Sequence, residues 1–81
     1  MPLNIHKEHF QGLVDKNKSL RAILKESAKF RLNGIGVWLV VESVPWDADM
    51  VYCYNEVTFE QYSIPFRNID KDMLVTISKH D

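Results

Sequence analysis

Residues 35–42 read Ile-Gly-Val-Trp-Leu-Val-Val-Glu, and this segment constrains the fold more than any other. Ile35, Val37, Leu39 and Val41 alternate with Gly36, Trp38 and Val40, so an extended backbone would be apolar on both sides as far as Glu42. That pattern predicts a strand buried on two faces. Asn33-Gly34 directly before it is the strongest short hairpin signal in the chain, and it implies a preceding strand over residues 29–32 pairing backwards.

The segments that follow also read as strands. Residues 45–49, Pro-Trp-Asp-Ala-Asp, suit a loop. Residues 50–54 are a short apolar strand, Asn55-Glu56 turns it, and Val57, Phe59 and Gln61 alternate with Thr58, Glu60 and Tyr62 in the next. Ile64-Pro65-Phe66 ends that strand, because proline cannot donate to a ladder. Residues 67–72 read as a polar turn around one buried Ile69, and residues 73–78 as the closing strand. Before residue 29 the period changes. Phe10, Leu13, Val14, Leu20, Ile23, Leu24 and Ala28 recur at helical steps, with Asn4 placed to cap the start. The run 15–19 (Asp-Lys-Asn-Lys-Ser) either bends this helix or breaks it, Ser19 then capping a second helix from Leu20 to about Lys29. The fold class expected is α+β: an N-terminal helix followed by a small, strongly bent five-stranded antiparallel barrel of SH3-like type. At 81 residues the chain is one domain, helical over 1–29 and barrel over 30–81.

Charge is divided unevenly along the chain. Residues 1–31 hold seven cations against three anions, a net +4, and residues 32–81 hold three against eight, a net −5; the whole chain is −1. A near-neutral total does not mark a dedicated polyanion binder, but the asymmetry suits docking between copies or attraction of a polyanion to one part. One cysteine excludes an internal disulfide framework and a Cys-pair zinc site. The longest apolar run, residues 37–41, is far short of the roughly 20 residues of a spanning helix. With no secretory signal in the first residues, the expected compartment is the cytoplasm.

The order of elements and the residues Arg31-Leu32-Asn33-Gly34-Ile35, Val37 and Val41-Glu42-Ser43 resemble the Sm-like (Lsm/Hfq) family, over residues 20–78. The likeness covers that family's first strand, Asn-Gly turn and long second strand, with residues 50–55, 57–64 and 73–77 as strands three to five. Leu39 stands where the family bends its second strand at glycine. Pro65-Phe66-Arg67-Asn68 stands where its second motif would be. The resemblance implies a non-enzymatic RNA-binding protein that assembles into a homo-oligomeric ring by strand-edge pairing, without a cofactor. By position it implies an RNA pocket of Trp46, Asp47 and Asp49 facing Phe66, Arg67 and Asn68.

An aromatic ring there would stack on an unpaired base, and Arg67 would meet a phosphate or base edge. The two aspartates would repel a phosphate backbone, and loop aspartates more often only make turns. Lys18, Arg21, Lys25 and Lys29 step by three or four residues and predict one cationic helix face, a second phosphate surface or simply a solvated one. His6 and His9 with Glu8 have the only metal-like spacing, with His80 and Asp81 in the tail, and no metal site is expected. Cys53 reads as an inert buried thiol. Trp38, Tyr52, Tyr54, Phe59 and Tyr62 on strands exceed what one small barrel hides, which favours association of copies. No nucleophile has a base at recognisable spacing. The alternative function is a protein–protein interaction module, such as a small phage-type regulator whose acidic part contacts a host protein.

Overall fold

The computed structural model describes residues 15–32 and 36–79. Residues 15–25 form the helix α1, whose Leu20 and Leu24, one turn apart, are fully buried. The helix runs through residues 15–19 without a break, so Ser19 lies inside it and is no cap. It also ends four residues earlier than the apolar period suggests. The Glu26 N–H and the Ser27 hydroxyl both donate to the Ile23 carbonyl, at 3.2 and 2.7 Å, and satisfy an acceptor the helix end leaves open. Ala28 and Lys29 therefore belong to a strand.

Five strands follow: β1 (Ser27–Leu32), β2 (Leu39–Ser43), β3 (Met50–Asn55), β4 (Gln61–Pro65) and β5 (Leu74–Ser78). They form one antiparallel sheet in the order β4-β3-β2-β1-β5. The α+β class and the five antiparallel strands are as expected. The sheet is not closed, however, and β4 and β5 are its two edges. Register irregularities interrupt β1 between Ser27 and Lys29, and β2 between Val41 and Ser43. Such bulges bend the strand that carries them.

Three strand boundaries differ from the sequence reading. Residues 36–38 lie outside the β2 ladder, and Gly36 takes φ +65°, a left-handed backbone natural to glycine. Asn33, Gly34 and Ile35 lie outside the described residues. The ladder sets Lys29 opposite Val40, where a two-residue turn at Asn33-Gly34 would set it opposite Trp38. A slip of two keeps every side chain on its own face. In the second case Val57 and Thr58 are turn, because Asn55 captures them. Its side-chain oxygen accepts from the Val57 and Thr58 N–H groups at 2.9 and 3.3 Å, and its carbonyl accepts from Phe59 N–H at 2.8 Å. Phe59 consequently has φ +64°. Lastly, the polar turn is two 3-10 turns, Phe66–Asn68 and Lys71–Met73, with Ile69 between them buried as anticipated.

One face of the sheet meets the helix. Phe30, Leu39, Val51 and Cys53 from the strands join Leu20, Leu24, Phe66 and Ile69 in a single buried cluster, flanked by Leu32, Val41, Val44, Ile64 and Leu74. Among the described residues nothing forms a second layer on the other face. The double burial expected of β2 is therefore not met: Leu39 is buried, but Val40 is only half-buried and Val37 exposed. Phe30 sits at the centre of the cluster with no exposed surface. Phe30→Ala should cost about 3–5 kcal/mol in urea unfolding, enough to leave a domain of this size largely unfolded.

Candidate functional site

The β2–β3 loop and the turn before β5 do come together, and the helix fastens them. The Phe66 N–H donates to the Asp49 carbonyl at 2.9 Å. Arg21 reaches across from α1, its Nη2 donating to Asp49 Oδ1 at 2.7 Å and to the Ala48 carbonyl at 2.8 Å. Asn17 Nδ2 donates to the second Asp49 oxygen at 3.2 Å, and the Arg21 guanidinium lies 5.5 Å from the Phe66 ring centroid. This arrangement reassigns three of the expected RNA contacts. Phe66 is fully buried and is core, so it offers no ring to a base. Asp49 is the counter-ion of Arg21. Arg21 in turn serves the loop and not an outward cationic face. Trp46 remains, 83% exposed, together with exposed Asp47, Arg67 and Asn68. The sequence signal for Phe66 as core was its three-residue step to Ile69, which one 3-10 turn places on one side.

The four-cation helix row also divides. Lys18 and Lys25 are exposed on α1. Lys29 is on β1, where its ammonium pairs with Glu56 at 2.9 Å. The helix had been expected to include Lys29 because helical steps continue through Ala28; pairing of β1 with β5 claims that backbone instead. His6, His9, His80 and Asp81 lie outside the described residues. Among the described residues no group of three metal-ligating side chains converges, and no helix is long and apolar enough to cross a membrane.

A second surface was not anticipated. Ladder partners share a face, so Lys29, Val40 and Tyr54 form one row on the side away from the helix, Lys29 opposing Ile77 and Arg31 opposing Val75 on β5. Trp38 joins them, with the Lys29 ammonium 5.3 Å and the Arg31 guanidinium 5.0 Å from its ring centroid. Along the β5 edge Met73, Val75 and Ile77 are 46, 42 and 37% exposed. Arg31 has no anion or hydrogen-bond acceptor among the described residues, since Glu56 is taken by Lys29 and Glu42 accepts from Gln61 Nε2. The 73-75-77 alternation was visible in the sequence. An apolar hollow of about 210 Å³ is lined by Val37, Leu39, Tyr62 and Ile64. The Tyr62 hydroxyl beside it donates to Glu60 at 2.6 Å, and that bond holds its phenol above the ordinary range.

No family model matches this chain, and no curated protein or solved structure matches it either.

Cys53, buried in β3, has its thiol pushed up to about 11 by burial and by the charge of Glu42. Below pH 9 the thiol is protonated in folded and unfolded chains alike. Between pH 9 and about 11 the unfolded chain releases the proton first, so stability should fall as pH rises through that window. Urea unfolding at pH 8 and pH 10.5 should show the decline, and Cys53→Ala should lessen it, leaving the part that the raised Tyr62 phenol contributes. For the loop clamp, Arg21→Ala should lower stability by about 1–3 kcal/mol, since Asp49 and the Ala48 carbonyl lose a charged donor; thermal melts of the two proteins give the figure.

Proposed function

We propose that this chain is a non-enzymatic interaction module that binds other polypeptides, its own copies included, through the β5 edge and the outer sheet face beside it. One observation carries this reading. β5 is an edge strand of sequence Leu-Val-Thr-Ile-Ser, without lysine, proline or glycine, and its outward residues with Met73 form an exposed apolar stripe. Edge strands of soluble proteins are ordinarily blunted by charge, proline or a covering element, because unpaired N–H and C=O groups recruit further strands. The residues next to the stripe are Trp38 and Arg31, with Tyr52 and Tyr54 elsewhere on that face, and these residue types dominate protein interfaces. β4, the opposite edge, ends in Pro65 and is the less receptive of the two.

A second reading, RNA binding by a ring of Sm-like type, is favoured by Trp46. An indole so exposed, on a loop whose base is held by four hydrogen bonds to α1 and to Phe66, is a ready stacking platform. The sheet order, the preceding helix and the 3-10 turns before β5 are compatible with an Sm-like barrel whose copies pair at their edges. Arg67 and Asn68 would then be the polar contacts, with Lys18 and Lys25 as a distant cationic patch.

Native mass spectrometry over a concentration series separates wild type from a Val75→Lys, Ile77→Lys double variant. Wild type should self-associate and the double variant should do so at least tenfold more weakly; identical mass distributions would overturn the β5 reading. Filter binding with short U-rich and A-rich RNA at two salt concentrations tests the second reading. There Trp46→Ala should weaken binding about 5- to 100-fold, and Arg67→Ala should reduce the salt slope by about one ion. Absence of binding by wild type at low salt would dismiss the RNA reading.

A further inference from the structure

Resting on the β5 reading, we infer that the preferred occupant of this surface is an acidic extended segment of a partner protein, whose apolar side chains lie on the β5 stripe and whose carboxylate engages Arg31.

Arg31 is what selects the chemistry. Its guanidinium is held over Trp38 at 5.0 Å and is half-buried, with no acceptor among the described residues. A planar cation steadied on an aromatic face, with its fork of N–H groups unused, matches a carboxylate in bidentate geometry. Lys29, two residues earlier on the same face, already has Glu56, so the unanswered charge on this part of the face is that of Arg31. Val75 is the ladder partner of Arg31. Val75 and Arg31 therefore stand in one cross-strand row, and a segment laid over β5 and β1 on this face meets both.

A second copy of this chain answers the stripe but not the charge. β4 reads Gln-Tyr-Ser-Ile-Pro and β5 reads Leu-Val-Thr-Ile-Ser, and neither strand carries a carboxylate. Two β5 edges placed together would leave the Arg31 of each copy on β1, one strand in from the seam, with no added anion. A strand bearing glutamate or aspartate between apolar positions resolves both requirements. Nucleic acid would satisfy the guanidinium, but it has no use for the exposed Met73, Val75 and Ile77.

The test uses the whole chain and two labelled probe peptides in fluorescence anisotropy. Both alternate valine and threonine over nine residues; one has a central glutamate, and its twin has glutamine. The glutamate peptide should bind about tenfold more tightly than its twin. Arg31→Gln should bring the two within twofold of one another, and Val75→Lys should weaken both, with circular dichroism confirming that each variant keeps its sheet. Equal binding of the two peptides by wild type, with both lost in Val75→Lys, would overturn the role of Arg31 and leave the β5 reading standing. No binding of either peptide at 1 mM would overturn the inference, while the self-association measurement judges the β5 reading independently. A loss of RNA binding in Arg31→Gln without any change in peptide affinity would likewise overturn it, and would assign the guanidinium to phosphate.

Discussion

The change of backbone from helix to strand within two residues governs this molecule. At Glu26 and Ser27 the chain leaves α1 and enters β1 with no connecting loop, and three hydrogen bonds fix the change: two to the Ile23 carbonyl, and one from the Lys79 N–H to the Glu26 carbonyl at 2.9 Å. Because nothing flexible lies between them, the direction of α1 sets where β1 starts. β1 then takes β2 on one side and β5 on the other. The same geometry lays Leu20 and Leu24 over Phe30 and lets Arg21 reach the loop before β3. A helix that continued to Lys29 would have removed the first three residues of the central ladder.

That single-layer design separates two kinds of surface. The side under the helix is the hydrophobic core, and the turn carrying Phe66 and Ile69 closes one end of it. The other side, over which no described element lies, retains half-buried aromatic rings and paired charges. Chains this small bury a low fraction of their surface, so leftover apolar area is expected; what is informative is its concentration on one edge strand, and not its existence. The exposed Trp46 is a separate feature, at the end that the Arg21–Asp49 pair holds together.

Much of this was legible in the residues. Alternation located β2, β3 and β5 to within a few positions; Cys53 was placed in the core by its apolar strand, and Ile69 as the one apolar residue of a polar turn. The errors were of three physical kinds. Helical spacing through Ala28 concealed the first residues of β1, because local periodicity carries no information about a β5 that arrives nearly fifty residues later. Val57 and Phe59 alternate as a strand would, yet the Asn55 side chain bonds two following N–H groups and converts them to a turn. Phe66 was read as a ligand residue because its position in the turn mattered more than its step to Ile69. The family resemblance, and no spacing, implied that the loop of Trp46 adjoins the turn of Phe66, as the Phe66–Asp49 hydrogen bond has it, but it could not show that Arg21 neutralises Asp49. The Arg31–Trp38 contact depends on an offset of pairing across the hairpin, which no local pattern reveals.

The single thiol has a practical consequence. Cys53 lies on β3, hydrogen-bonded to neighbours on both sides and two strands from the exposed β5 edge. A thiol reagent reaches it only when the buried cluster under the helix opens. The rate at which the intact chain takes up label is thus a clock for that opening, and occupancy of β5 by any ligand would be read at a distance as a slowing of the clock.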